Sequence, residues 1–304
     1  MAKLILHHFD ISPFAEKARL VLGLKKLSWD SVQIPLIMPK PDLTALTGGY
    51  RKTPVLQIGA EIYCDTTRIA LELEERYPKP GLFPGGNRGL ALASSFWSNS
   101  AFFNPGAGLS MAVNSEIPEP ILEDRKNFFN FMDFERMQEE IPHMYTQLLA
   151  HMELVEAQLS DGRSYFAGEE PGWLDINAYF VVWMARNNVA PVNELLKPYT
   201  SMQLWESRMQ ALGHGDRSEL EADYAIEIAR SSTPAAGKGV DIADPLGLSE
   251  EDAVVVEPDD YGKEPVSGTL ITLTRNEVSI RRTDERAGEV NVHFPRAGYR
   301  ITRQ

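Results

Sequence analysis

The stretch from Thr47 to Leu73 constrains the fold of this chain more than any other part of the sequence. It contains Pro54, a short apolar run, the pair Gly59-Ala60, a second short apolar run and then Asp65-Thr66. Two apolar runs joined by two residues with glycine first are typical of a β-hairpin, because a type II′ turn favours glycine there. Apolar residues then recur at helical spacing behind Asp65 or Thr66, either of which can cap a helix. The stretch therefore predicts a strand, a turn, a second strand and a helix.

The predicted helix begins beside a strand that follows a proline, and this arrangement has a chemical consequence. Exposed N–H groups and the positive end of the helix dipole meet at a helix N-terminus. Such a terminus can hold a small anion, for example a carboxylate. Most capped helices bind no ligand, so the segment is consistent with a ligand site but identifies no ligand.

Upstream of this stretch, strands and helices alternate. Leu4-Ile5-Leu6 begins a strand, Ser12-Pro13 begins a helix, Trp29 to Ile34 is a second strand and Asp42 to Leu46 is a short helix. Serine at the N-cap followed by proline is a favourable helix start. Ser12 therefore either only caps this helix or also directs its hydroxyl at a ligand in front of it. The order β-α-β-α-β-β-α predicts an α/β thioredoxin-like domain over residues 1–79.

The length of 304 residues predicts more than one domain. Residues 78–89 are rich in proline and glycine and lack periodicity, which indicates a linker. Helical periodicity then predicts an all-α domain over residues 88–230. Beyond a second linker the apolar period changes to two, and five short strands predict a small all-β domain, an SH3-like barrel, over residues 241–304.

Three short motifs resemble the glutathione-binding signature of cytosolic glutathione transferases: Ser12-Pro13-Phe14, Lys52-Thr53-Pro54 and Asp65-Thr66. The resemblance extends to about residue 230 and implies the fold of that family, a thioredoxin-like domain followed by an all-α domain. The strands predicted after residue 241 lie outside that plan. Glutathione is the implied co-substrate, and a small hydrophobic electrophile is the implied second substrate.

The same resemblance implies a binding role for each residue of the site. The main chain of Thr53 is expected to bind the cysteinyl part of glutathione, with Pro54 in the cis form. Asp65 and Thr66 are expected to hold the γ-glutamyl end. Lys52 is expected to lie near the glycine carboxylate.

Glutathione chemistry requires the thiolate, because the thiolate is the nucleophile. A hydroxyl that donates a hydrogen bond to the sulfur, at the positive end of a helix, favours the thiolate. Ser12 is the candidate catalytic residue, since the resemblance puts it where some classes carry serine and others cysteine. Serine cannot form the mixed disulfide that thiol transfer requires, so a transferase is favoured over a reductase. Cys64, the one cysteine, is expected to be a buried structural thiol on the fourth strand.

Aromatic residues are the candidates for the electrophile pocket. The resemblance puts a helix predicted over Leu90 to Phe103 along that pocket. Its aromatic side chains either belong to the core, which is the commoner case, or line the pocket. The candidate pocket residues are Phe14, Trp97, Phe102 and Phe103.

Composition and pattern argue against several other classes of function. The formal net charge of −13 disfavours a nucleic-acid partner, which requires a basic surface. A single cysteine disfavours a cysteine-based metal site, and the adjacent His7 and His8 point to opposite faces of a strand, so no metal is expected. No apolar run approaches the roughly 20 residues of a membrane span and no signal peptide is found, so we expect a cytoplasmic protein without a membrane partner. The resemblance implies a homodimer.

Other functions fit the same sequence. The chain either catalyses conjugation or is a non-catalytic module that uses the glutathione fold for binding or assembly. A glutathione-dependent lyase, dehalogenase or isomerase would use the same site. We expect the β-domain after residue 241 to be dispensable for glutathione binding, because a linker precedes it and its strand pattern differs.

Overall fold

A computed structural model describes residues 3–114 and 117–304, which form two compact units. The first comprises Met1–Ala18, Ser28–Glu72 and Asp216–Gln304, and we call it the sheet unit. The second comprises Arg19–Leu27 and Leu73–Gly215, and we call it the helical unit.

The first seven elements follow the predicted thioredoxin-like order. They are β1 (Ile5–His8), α1 (Pro13–Leu24), β2 (Ser28–Gln33), α2 (Pro41–Thr47), β3 (Val55–Ile58), β4 (Glu61–Cys64) and α3 (Thr66–Arg76). The turn between β3 and β4 has Gly59 at φ +65°, a conformation that glycine adopts without steric penalty. The predicted hairpin and the thioredoxin-like order are confirmed.

Helices follow, as the all-α part of the prediction requires. They are a 3₁₀ turn (Pro84–Gly86), α4 (Arg88–Phe96), a π-helical turn (Trp97–Phe102), α5 (Phe103–Ala112), α6 (Glu119–Phe128), α7 (Ile141–Leu159), α8 (Trp173–Asn188), α9 (Val192–Leu195) and α10 (Thr200–Ala211). Helix α8 is the buried centre of the helical unit, and its Ile176 and Phe180 have no exposed surface. Asp175 caps α8 by accepting a hydrogen bond from the backbone N–H of Gly172 at 3.0 Å. The all-α region is therefore confirmed.

The rest of the chain is rich in strands. Its elements are β5 (Asp216–Glu219), α11 (Ala222–Ser231), β6 (Gly239–Val240), β7 (Ala253–Pro258), β8 (Val266–Leu273), β9 (Glu277–Asp284), β10 (Gly288–Pro295) and β11 (Tyr299–Arg303). The five strands predicted from period-two patterning correspond to β7–β11. Helix α11 belongs to the sheet unit, because it buries Ala225, Ile226 and Ala229 against that unit's apolar clusters. The helical unit thus ends at Gly215, before the predicted domain limit at residue 230.

The strands join in one eleven-stranded sheet. Its order is β11-β7-β8-β9-β10-β4-β3-β1-β2-β5, with β6 beside β8. Residues 241–304, which we call the extension, join the thioredoxin-like part where β10 pairs in parallel with β4 and Val292 lies opposite Ile62. One apolar cluster spans the junction and includes Leu46 and Val55 on one side and Ile280 and Phe294 on the other. The sequence did not predict this shared core.

The strands of the extension curl back toward β4. β11 lies five places from β4 in the sheet order, so a flat sheet would separate the two strands by about 24 Å at 4.8 Å per place. Yet the hydroxyl of Tyr299 on β11 lies 3.4 Å from a carboxylate oxygen of Asp65, which directly follows β4. The curvature expected of a barrel is therefore present, but β4 takes part in it.

Candidate functional site

Strand register brings the three sequence motifs to one end of the sheet. His7 on β1 lies opposite Val55 on β3, and Val55 lies opposite Cys64 on β4. Both pairings are antiparallel, so the end of β1, the start of β3 and the end of β4 are neighbours. The segments attached to these strand ends are Ser12-Pro13-Phe14, Lys52-Thr53-Pro54 and Asp65-Thr66.

The chain enters β3 through a cis peptide bond between Thr53 and Pro54, as the resemblance implied. Lys40 lies beside this bond: its Nζ donates hydrogen bonds to Oγ1 of Thr53 at 3.3 Å and to the main-chain oxygen of Arg51 at 3.2 Å. Lys40 is buried, and its Nζ is 5.6 Å from the centre of the Phe9 ring. A buried cation therefore adjoins the residue expected to bind the cysteinyl part of glutathione.

Asp65 caps helix α3, as predicted. Its Oδ1 accepts a hydrogen bond from the backbone N–H of Thr67 at 2.7 Å. Its φ is +74°, in the left-handed region that residues other than glycine rarely adopt and that is enriched at functional sites. Thr66, the first residue of α3, is buried. The N-terminus of α3 therefore combines the partial positive charge of the helix dipole with the negative charge of the Asp65 carboxylate.

Ser12 caps helix α1. It is buried, and its Oγ accepts a hydrogen bond from the backbone N–H of Ala15 at 3.2 Å. Its main-chain oxygen accepts a second hydrogen bond from Glu16 at 3.1 Å. The capping interpretation is confirmed. A hydroxyl that accepts a hydrogen bond keeps its own proton for donation, so the cap is compatible with a second role.

The cation expected near the glycine carboxylate already has partners in the extension. Nζ of Lys52 lies 2.5 Å from Oδ1 of Asp260 and 4.2 Å from the centre of the Tyr261 ring. The adjacent Arg51 pairs with Glu264 at 2.9 Å. The loop between β7 and β8 therefore contacts one side of the predicted site.

Cys64 is fully buried in the apolar core. Burial, reinforced by the negative charge of Asp65, raises the pKa of its thiol well above the usual range. The thiol therefore stays protonated at neutral pH, and a protonated thiol is a poor nucleophile. This environment supports the expectation that Cys64 has no chemical role.

Sequence patterns missed two of the buried lysines, Lys17 and Lys40, which lie near the predicted site. Lys17 on α1 has no exposed surface, and burial lowers its pKa to about 7 against the opposing influence of Asp65. Because lysine is almost never fully buried, a lysine on a helix is expected to be exposed, and the local sequence gives no sign that Lys17 is not. Lys40 stands between Pro39 and Pro41, and this unusual flanking is the one local signal that could have identified it.

The candidate pocket residues have different surroundings. Phe14 is half-buried on α1. In the helical unit, Trp97 stacks on Phe102 with 5.0 Å between ring centres, and its Nε1 donates to Nδ1 of His151 at 3.2 Å. Phe102 and Phe103 are buried among the helices, whereas Trp97 is partly exposed. Phe102 and Phe103 thus have the core role, and a place for any of the four in an electrophile pocket stays a prediction.

Two observations apply to residues 3–114 and 117–304 only. In those residues no group of three or more His, Cys, Asp or Glu side chains is arranged to hold a metal ion. No helix in the same part of the chain is both long and apolar enough to cross a membrane.

Comparison with family models gives two matches. Residues 6–81 match the glutathione S-transferase N-terminal domain, and residues 138–208 match the glutathione S-transferase C-terminal domain. No match was found among the curated proteins.

Solved structures give matches of two kinds. A GST-like protein from Pseudomonas syringae is 38% identical, with all of both chains covered and a TM-score of 0.82. The tau class glutathione S-transferase of mango, Mangifera indica, is 18% identical, covers 75% of this chain and 97% of its own, and has a TM-score of 0.53. Maleyl pyruvate isomerase, a bacterial zeta class protein, is 21% identical, covers 69% and 96%, and has a TM-score of 0.50. The full-length match therefore includes the extension, and the partial matches show the shared fold.

Proposed function

Since the chain belongs to the glutathione S-transferase family, we propose that it binds glutathione at the end of the sheet that carries Ser12, Thr53 and Asp65. Ser12 then activates the glutathione thiol for attack on a small hydrophobic electrophile. The observation that carries this proposal is the strand register, which gathers the three motifs from separate parts of the sequence.

The charges at this end of the sheet match those of glutathione. The N–H groups at the start of α3 suit the γ-glutamyl carboxylate, and the Asp65 carboxylate suits the neighbouring amino group. The main chain of Thr53 suits the cysteinyl amide. Lys40, beside Thr53, and Lys52 are the cations available for the glycine carboxylate.

Activation of the thiol follows from the position of Ser12. Its hydroxyl lies at the N-terminus of α1, where the helix dipole is positive. A hydrogen bond from this hydroxyl and the dipole both stabilise the thiolate relative to the thiol. The pKa of bound glutathione falls as a result, and more of it is nucleophilic at neutral pH.

The binding step is tested with Asp65→Asn. Asparagine tolerates the positive φ and caps helices well, so this variant removes the charge and keeps the backbone. We expect glutathione binding to weaken by about 1.5–3 kcal/mol, the scale of a hydrogen bond to a charged group. Isothermal titration calorimetry measures the effect, and thermal unfolding verifies that the variant is folded. Equal affinity for the two proteins would remove Asp65 from the site.

The catalytic step is tested with Ser12→Gly. Glycine is an acceptable N-cap, so the variant loses the hydroxyl while losing only a few tenths of a kcal/mol of capping. We expect the pKa of bound glutathione to rise by about one to two units, since a hydrogen bond to a charged group contributes about 1.5–3 kcal/mol. Ultraviolet titration of the thiolate measures this, and Cys64→Ala is the control that leaves the titration unchanged. An unchanged pKa in Ser12→Gly would assign thiolate stabilisation to another group.

Two other functions are separated by the same measurements. Glutathione affinity without turnover across a panel of aromatic electrophiles would indicate a non-catalytic binding or assembly module. Maleyl pyruvate isomerase, one of the matched structures, shares this fold. Lyase, dehalogenase and isomerase substrates therefore belong in the same panel.

We further propose a cytoplasmic homodimer. The family resemblance motivates this proposal, and the helical unit carries exposed apolar side chains at Leu90, Phe96 and Leu154. Exposed apolar side chains favour a subunit interface where they form one contiguous patch. Sedimentation at micromolar concentration tests the proposal, and a monomer would contradict it.

A further inference from the structure

The extension reaches the predicted glutathione site through its last strand. We propose that Tyr299 is a positioning residue for Asp65. The extension would then contribute to glutathione binding by orienting the Asp65 carboxylate. The effect on binding rests on the proposed glutathione function, but the contact between Tyr299 and Asp65 is present without a ligand. This role of Tyr299 reverses the expectation that residues 241–304 are dispensable for binding.

The number of available protons determines which group donates each hydrogen bond among Tyr50, Tyr299 and Asp65. The Tyr299 hydroxyl lies 3.4 Å from Oδ2 of Asp65 and 3.0 Å from the hydroxyl of Tyr50. An ionised carboxylate only accepts hydrogen bonds, so Tyr299 donates to Asp65. Its single proton is then used, and Tyr50 must donate to Tyr299. The result is a directed chain of hydrogen bonds that ends on Asp65.

Packing fixes the Tyr299 hydroxyl in place. Tyr299 and Tyr50 are both buried, with 6% and 3% of their surface exposed. The Tyr299 ring lies 5.4 Å from the Phe294 ring, and the Tyr50 ring lies 5.8 Å from the same ring. A hydroxyl on a ring held in the core has little freedom to move. The position of Oδ2 is therefore set by the core of the extension.

Asp65 requires such support because of its two tasks. Oδ1 is engaged by the backbone N–H of Thr67 in the cap of α3. With Oδ2 held by Tyr299, both oxygens are fixed and so is the plane of the carboxylate. Each carboxylate oxygen can accept more than one hydrogen bond, so Oδ2 remains able to accept one from a ligand ammonium group. A carboxylate that is already held in one orientation loses less conformational entropy on ligand binding.

A matched pair of variants isolates this contact. Tyr299→Phe and Tyr50→Phe both delete the hydrogen bond between the two tyrosines, and both keep the rings. Only Tyr299→Phe also deletes the contact with Asp65. We expect glutathione to bind about tenfold more weakly to Tyr299→Phe, near the lower limit for a hydrogen bond to a charged group. Tyr50→Phe should bind within about twofold of the unmodified chain, since it keeps the contact with Asp65.

Calorimetry on the full-length chain gives the first result. Weaker binding in Tyr299→Phe alone supports the positioning role. Equal affinity in the two variants overturns the positioning role. Equal weakening in both also overturns it, because both variants lose the hydrogen bond between the two tyrosines.

Amide hydrogen exchange without ligand separates this inference from the proposed function. If the unmodified chain binds no glutathione, the proposed function fails, and exchange at the Thr67 amide then decides the positioning role. Faster exchange in Tyr299→Phe than in Tyr50→Phe supports a Tyr299 that holds Asp65 in its cap. The same exchange rate in the two variants overturns it.

Discussion

Two of the ionic junctions between the extension and the thioredoxin-like segment differ in burial. At the rim junction, Lys52 pairs with Asp260, whose side chain is 51% exposed. At the core junction, His293 on β10 lies between Glu277 at 2.9 Å and Glu61 at 2.7 Å, and its side chain is 9% exposed. Each junction pairs a cation with a carboxylate, but the rim junction is exposed to water and the core junction is buried.

The difference in burial separates what the two junctions do. Water screens the rim pair, so it contributes little to stability and acts mainly on the electrostatic potential at the site. The core junction adds Arg68 of α3, which lies 3.5 Å from Glu277, and Lys238, which lies 2.8 Å from it. Removing Glu277 would leave His293 with Glu61 alone and Arg68 with Glu72 alone. The core junction therefore fixes β10 against β4 and α3.

The largest expected effect comes from breaking the core junction with Glu277→Ala. This variant removes one of two carboxylate partners from His293, which keeps Glu61, and one of two from Arg68, which keeps Glu72. We therefore expect the free energy of unfolding to fall by about 3 kcal/mol, the lower limit for breaking a buried pair. Asp260→Ala is the matched control at the rim, where we expect a change within about 1 kcal/mol. Denaturant unfolding followed by tryptophan fluorescence measures both. Similar losses at the two junctions would show that burial does not distinguish them.

A smaller effect is expected from pH. Burial works to lower the pKa of His293, but its hydrogen bonds to Glu277 and Glu61 outweigh burial and raise it. Burial works to raise the pKa of both glutamates, but the hydrogen bond from His293 and nearby positive charges lower it. The histidine contribution is full below the unfolded pKa near 6.5 and is lost as pH rises through the folded value. The glutamate contributions are full above about 4.5 and are lost as pH falls.

The core junction is therefore most stabilising between about pH 4.5 and 6.5. The measurement is the difference in unfolding free energy between the unmodified chain and His293→Gln across pH. Burial lowers the pKa of His7 to about 4, but His7 is present in both proteins and cancels. A difference that stays constant from pH 4 to pH 9 would contradict the assigned charges.

The smallest effect is expected from Asp260→Asn, measured as glutathione affinity. The change removes a negative charge that competes with a ligand carboxylate for Lys52. We expect binding to strengthen by about 0.2–1 kcal/mol, the range for an exposed ion pair, and the gain to shrink at high salt. Weaker binding would mean that Asp260 holds Lys52 in place for the ligand.

Local chemistry made much of the fold and part of the site predictable. The Gly59 turn, the Ser12 cap and the Asp65 cap each depend on neighbours within a few residues, and the structure contains all three. Alternation along the chain likewise predicted the five strands of the extension, since period two reports which face of a strand is buried.

Contacts between distant residues could not be predicted in the same way. Period two does not indicate which strand edge a neighbour occupies, so the pairing of β10 with β4 stayed hidden. Tyr299 and Asp65 are 234 residues apart, and no local pattern links them. Lys40 reaches Thr53 across 13 residues and a turn of the chain, which spacing alone does not reveal.

The pairing of β10 with β4 also bears on how the chain is made. Asn291 and its partner Glu61 are 230 residues apart. A ribosome adding about 5–20 residues per second needs about 10–50 s to supply the missing strand. During that interval the edge of β4 presents unpaired N–H and C=O groups, which can recruit strands from other nascent chains. Ribosomes that stall before β10 would therefore release fragments with an open sheet edge, and such fragments are substrates for chaperones and proteases.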